Sequence, residues 1–288
     1  MTVKATVIAD TFNKRVTSAR ITTFEIYAPR FLLAEINTHR VLARSAASSR
    51  AIPVAKRIEA VLEDPFVPNA FGKNKPGMQA DETLGDFETE LAQTVWRGAV
   101  TSAVTSAEIL AKLKVHKQLA NRLLEPFAHF YGVVTATEWD NFYKLRVSPE
   151  AQPEFKDLAT AMQDAQAASC PREAKWHLPY NPDYGLDIDL ALKVCSARCA
   201  RVSYRSFDGK LSALEDDKRL CADLIAGGHM SPFDHCAVAD NVTTKSWDNP
   251  EWHRQFWGWI PYRVQIEQEQ GYLGRRSSFA EIAPELLA

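Results

Sequence analysis

Between Ala28 and Arg50 the chain reads APRFLLAEINTHRVLARSAASSR, which sets His39, Arg40, Arg44 and Arg50 among Ser45, Ser48 and Ser49. Guanidinium groups grip phosphate through paired N–H bonds and serine hydroxyls complete the oxygen shell, so this residue set suits a phosphate or pyrophosphate pocket. It suits equally a solvated helix end whose arginines favour the negative pole of the helix dipole. A second cluster, HMSPFDH, brings His229, Ser231, Asp234 and His235 together behind Gly227 and Gly228. Ser231 before Pro232 has the form of an N-cap and first helical position, with Asp234 in the first turn. A metal-hydrolase reading would make His229, Asp234 and His235 ligands, but no second His/Asp set stands at ligand spacing, and no metal is expected. A third cluster places Arg122 in NRLLEPF and Asn141 and Arg146 in DNFYKLR, polar groups among Leu, Phe and Tyr that need a partner or a ligand wherever they are buried.

The elements that must position these groups are visible in the hydrophobic pattern. VKATVIAD and ARITTFEIYAP are rich in β-branched and aromatic residues and predict strands, with Phe24 and Ile26 on one face and Glu25 and Tyr27 on the other. Pro29 predicts the first turn of a helix carrying Phe31, Leu32, Leu33 and Ile36, and the residues beyond His39 and Arg40 predict a polar loop. Residues 64–86 hold three Pro, three Gly and two Asn, a lid-like loop within an insertion at 55–95. Helical spacing follows from Asp86 to Leu124, and again from about Thr135 to Arg146. HLPYNPDYGL, 177–186, breaks the pattern and predicts a join between a 1–176 half and a 187–288 half. The second half predicts a helix at DIDLALKVCSARCARVS, another at ALEDDKRLCADLIAGG stopped by its glycine pair, a strand at HCAVADNVT, and a C-terminal extension.

With 288 residues, 46% of them hydrophobic, the chain can bury a large core, and a net charge of −2 confines any anion site to a local cluster. That balance does not favour nucleic acid as a partner. The five cysteines form no CxxC pair and no zinc framework, and neither a signal peptide nor an apolar run of membrane-spanning length is present. A soluble protein of the cytoplasm is expected.

Taken together, the three clusters resemble the flavin-dependent thymidylate synthases. THRVLARSAASSR matches that family's signature at His39, Arg40, Ser48 and Arg50 and departs from it at Thr38, Ala43 and Ser45, while Glu35 stands where a Gln is usual. RLLEPF and NFYKLR…AQPE are similar to two further family segments, with Thr135 and Thr137 replacing polar residues upstream. ARVSYRS (200–206) and HMSPFDHCAV (229–238) resemble family segments that ordinarily precede the signature, so the segment order here implies a circular permutation.

The resemblance implies an α+β fold, helices packed on a mostly antiparallel sheet, in a single domain over 1–288. It implies C5 methylation of dUMP to dTMP with FAD as cofactor, methylenetetrahydrofolate as one-carbon donor and NADPH as reductant, in a homotetramer. By that resemblance Arg146, Ser48 and Arg50 are catalytic, and Glu35, Ser48, Arg50, Arg122 and Arg146 bind the nucleotide. His39, Arg40, Asn141, Ser203, His229, Ser231 and Asp234 line the flavin. The departures keep two alternatives open: a dCMP or dUMP hydroxymethylase or methylase that makes a modified DNA precursor, as viruses use, and a flavin- or nucleotide-binding module without chemistry.

Overall fold

The computed structural model describes residues 3–77, 80, 82–182, 185–203, 212–243 and 246–271. Part of the predicted lid, residues 204–206 of ARVSYRS and the extension beyond residue 271 lie outside them. The architecture is α+β, as expected. Strands β1 (Lys4–Asn13) and β2 (Val16–Pro29) form a long antiparallel hairpin, with a register shift between Val7 and Ala9. β2 then turns through a 3-10 segment, Arg30–Leu32, into the single-turn helix α1 (Leu33–Ile36). The expected helix is therefore shorter than its apolar residues suggest, because Pro29 still pairs with His129 as the last residue of the strand.

Beyond α1 the expected polar loop is instead the edge strand β3 (Ala43–Ala46). Helix α2 (Val54–Glu63) and the 27-residue α3 (Asp86–Lys112) flank the irregular segment 64–85, so the insertion is a loop only between those helices. After α4 (Lys117–Ala120) and a 3-10 segment over Asn121–Phe127, the chain enters β4 (His129–Ala136), which corrects the helix predicted from Thr135. β4 pairs with β2 on one side and β3 on the other, and seven of its eight residues in HFYGVVTA are buried, His129 and Phe130 and then an unbroken run from Gly132 to Ala136. A run buried on both faces has no alternation to distinguish it from a helix. Helices α5 (Asp140–Arg146) and α6 (Pro153–Ala168) follow, and β5 (Arg172–Glu173) closes the order β3-β4-β2-β1-β5, antiparallel except at β5.

The sheet is buried on both sides. One face carries Phe24, Ile26 and Val134 against Trp139 at the N-cap of α5 and against Phe142, Phe155 and Leu158 of α5 and α6. The other receives the C-terminal half. That half begins at β6 (Trp176–His177), continues through α7 (Ile188–Ala200) and α8 (Leu214–Ala226), and adds β7 (Ala237–Ala239), the small hairpin β8 (Val242–Thr243) with β9 (Ser246–Trp247), β10 (Trp259–Pro261) and α9 (Tyr262–Glu269). Asp187 caps α7 by accepting from Leu190 N at 3.0 Å, and Gly228, at φ 68°, ends α8 where a side chain would be strained. Ser231–Asp234 forms one 3-10 turn rather than the helix its Ser-Pro start predicts, and no side chain caps it. Ile21 and Ala43 pack on Ala237, Phe256 and Trp259 across the junction.

A line of hydrogen bonds runs through this junction. Thr11 Oγ1 meets His177 Nδ1 at 2.8 Å, His177 Nε2 meets Thr23 at 2.7 Å, and Thr23 meets Thr135 at 2.7 Å. Thr135 then meets His235 Nδ1 at 2.8 Å, and His235 Nε2 meets Ser45 at 3.0 Å. Burial pushes both imidazoles down to about 3, so each is neutral at pH 7. The unfolded chain takes up protons on these two residues between about pH 6.5 and pH 3 while the fold does not, so stability is complete above that window and falls through it on acidification. The urea midpoint is expected to drop steadily from pH 7 to pH 4, and Thr135→Val, which leaves two buried partners unmatched, to destabilise the fold by about 1–3 kcal/mol at pH 7.

Candidate functional site

The turn after α1 is shaped by Arg44. From β3 its guanidinium donates through Nη1 to the carbonyls of His39 (2.8 Å) and Leu42 (2.7 Å) and through Nε to Asn37 (2.8 Å). Arg44 therefore has the local, helix-end role, binding main-chain oxygens. The turn it holds buries His39 and leaves Arg40 exposed.

His39 sits edge-on to Phe142 and Phe155, with ring centroids at 5.1 and 6.1 Å. Its Nε2 accepts from Arg146 Nε at 2.9 Å, and Arg146 Nη1 reaches Glu35 at 2.9 Å while the guanidinium lies 4.4 Å over Phe155. Three elements thus converge: α1 supplies Glu35, the turn His39 and α5 Arg146. Burial, then the positive charges of Arg146 and Arg44, lowers the His39 pKa from its ordinary value, which keeps the ring neutral and its Nε2 an acceptor. Asn141 is exposed at the start of the same helix.

A second group forms where β3 ends. Arg50 N donates to Ser48 Oγ at 3.3 Å, and Asn121 Nδ2 clamps the turn from below, donating to the carbonyls of Ser49 (2.7 Å) and Ile52 (2.9 Å). Ser49 Oγ donates to Glu125, which also pairs with Arg122 at 3.0 Å and Arg30 at 3.5 Å. Burial alone would raise the Glu125 pKa, but the bonds from Ser49 and Arg122 and the charge of Arg30 outweigh it and hold the carboxylate ionised. Arg50 and Arg122 are both exposed beside this braced turn, a fixed cationic edge of the kind an anionic group needs.

The third cluster comes apart. His235 turns into the buried hydrogen-bond line, while Asp234 accepts from Arg263 at 3.1 Å. Burial raises Asp234 to about 6 in spite of that arginine. His229 and Ser231 are exposed, and the 231–234 turn packs on β3. Among the described residues, no three His, Cys, Asp or Glu side chains gather where they could hold a metal. The Ser203 side chain lies outside the described residues. Glu125, Asn121 and Arg30 escaped sequence reasoning as site residues. The Arg122–Glu125 spacing of three was a legible signal for one of them, whereas Asn121 and Arg30 act only through tertiary contacts.

The family sequence model described as thymidylate synthase complementing protein matches residues 12–172. Among solved structures, the UMP/dUMP methylase PolB from Streptomyces cacaoi bound with 5-Br UMP is 15% identical, covering 58% of this chain and 89% of its own, with a TM-score of 0.48. The flavin-dependent thymidylate synthase from Helicobacter pylori complexed with FAD and dUMP is 22% identical over 51% of this chain and 67% of its own, with a TM-score of 0.35. No curated protein sequence matches.

Because the charge of Arg146 helps to lower the His39 pKa, Arg146→Ala is expected to raise it toward the ordinary histidine value. An NMR titration of the His39 ring that shows no rise, or a further fall, would contradict this arrangement.

Proposed function

We infer the function from one premise: the chain belongs to the thymidylate synthase complementing protein family. The matched span contains Glu35, His39, Arg40, Ser48, Arg50, Arg122, Asn141 and Arg146, and that coincidence is the observation that carries the reading. We propose that the protein is a flavin-dependent methylase that converts dUMP to dTMP, with methylenetetrahydrofolate giving the one-carbon unit and NADPH the reducing equivalents. Ser48, Arg50 and Arg122 bind the nucleotide phosphate at the braced turn. Arg146 faces the pyrimidine: its Nε and Nη1 are engaged, which leaves Nη2 to hydrogen-bond a base carbonyl and stabilise the negative charge that develops as C5 attacks.

The residues fit a flavin in their chemistry. Arg40, Asn141, His229 and Ser231 are exposed donors suited to a diphosphate and to ring carbonyls, and the turn carrying Arg40 leads directly into β3, on which the 231–234 turn packs. His39 and Asp234 serve by orienting this edge, since each is already paired inside the protein. A bound reduced flavin supplies the hydride that completes a methyl group. His229, Ser231 and Asp234 lie outside the matched span, as does Ser203, and we propose that they join the site through a permuted segment order, with residues 177–186 as the connection. A homotetramer is part of the same reading.

One observation favours a second reading. The Glu35 carboxylate stands beside Arg146, and an acceptor there suits the amino group of cytosine, which uracil lacks. dCMP or dUMP methylation or hydroxymethylation for a modified DNA precursor is the alternative.

The test is a single-turnover reaction of FAD-loaded, reduced protein with methylenetetrahydrofolate, offered dUMP and dCMP separately, with the product base identified by mass. Methylated uracil is expected. A modified cytosine or a hydroxymethyl product selects the second reading, and bound flavin with no product leaves a binding module. Arg50→Ala is expected to weaken dUMP binding about 10- to 100-fold, since a hydrogen bond to a charged group contributes about 1.5–3 kcal/mol.

A further inference from the structure

Helix α3 has two apolar faces, and among the described residues only one of them is packed. Val100, Val104 and Ala107 bury against α2 and the 121–127 segment. On the other side Phe87, Leu91, Val95 and Ile109, with Leu113 at the C-cap, are exposed, Phe87 at 76% and Leu113 at 69%. At about 100° of rotation per residue these side chains share one stripe with Gly98, Ser102 and Ser106. A stripe of large exposed apolar groups about 39 Å long marks a surface made to be covered.

The order of sizes along the stripe says what covers it. Gly98 and Ser106 are equidistant from Ser102, and so are Val95 and Ile109, and so are Leu91 and Leu113. The pattern is therefore a palindrome, small at its centre and large toward both ends. A second copy laid antiparallel across a two-fold axis beside Ser102 sets large residues against large ones and brings the two backbones closest where the side chains are smallest. The charges agree. Glu90, Arg97, Glu108 and Lys112, all exposed, lie along one flank of the stripe. In the antiparallel pairing like flanks meet, so Glu90 is set toward Lys112 of the second copy and Arg97 toward its Glu108.

We propose that this face of α3 binds a second copy of the chain, antiparallel and centred on Ser102. The inference uses no part of the flavin chemistry; it rests on the proposed reading only for the homotetramer, one interface of which it names, and the reaction assay and the interface variants fail independently. The test uses the full chain with Cys170→Ser, which removes the one exposed thiol among the described residues. Light scattering is expected to give at least a dimer, and Val95→Glu with Ile109→Glu to lower the mass at least twofold with the circular dichroism spectrum unchanged. Under mild oxidation Ser102→Cys is expected to link to itself, because a disulfide needs Cα atoms within about 7 Å. Leu91→Cys should link to Leu113→Cys in a mixed sample and not to itself. A monomer, an assembly indifferent to the Val95→Glu and Ile109→Glu pair, or self-linking of Leu91→Cys would each overturn the proposal.

Discussion

Two imidazoles with no access to water must find a partner for every ring nitrogen, and much of this structure follows from how His177 and His235 meet that demand. Unmatched, each nitrogen would lose the hydrogen bond it has in water and destabilise the fold. Their partners come from four strands of the main sheet: Thr11 on β1, Thr23 on β2, Thr135 on β4 and Ser45 on β3. These hydroxyls line up only in one register, with Thr23 opposite Thr135. Sliding any strand by one residue would turn its hydroxyl into the apolar face where Phe24 and Val134 belong. The same bonds dock the C-terminal half, because His177 and His235 are its contribution.

The candidate site inherits its rigidity from this arrangement. β3 is bonded at Ser45 to the buried line, carries Arg44 back to hold the turn of His39 and Arg40, and delivers Ser48 and Arg50 at its far end. A four-residue edge strand would be a weak support alone. Pairing along β4, the packing of the 231–234 turn and the clamp of Asn121 together give it fixed ends.

Much of this was legible in the sequence, and the failures have physical causes. The β1–β2 hairpin showed in its β-branched residues and α8 in its glycine stop, and the α+β class and the family followed from spaced motifs. The strand β4 hid because burial on both faces removes alternation, and β3 hid because Arg44 and Ser45 look like loop chemistry until their partners, main-chain carbonyls and His235, are in place. Within the site, Arg146 was expected to need a partner and has Glu35 and His39. His235, grouped with Asp234 by sequence, instead points into the sheet junction, since adjacent residues on a single 3-10 turn face different ways.

The line from Thr11 to Ser45 also has a direction. Each hydroxyl and each neutral imidazole along it carries one proton, so if His177 donates to Thr23, then Thr23 must donate to Thr135, Thr135 to His235, and His235 to Ser45. The only other self-consistent pattern reverses every bond. The tautomers of two histidines far apart in sequence are thereby locked to one another, and the line has two states as a whole and none in between. Whether Ser45 offers a proton or a lone pair beside the Ser48–Arg50 turn is decided jointly with Thr11 on the far side of the sheet.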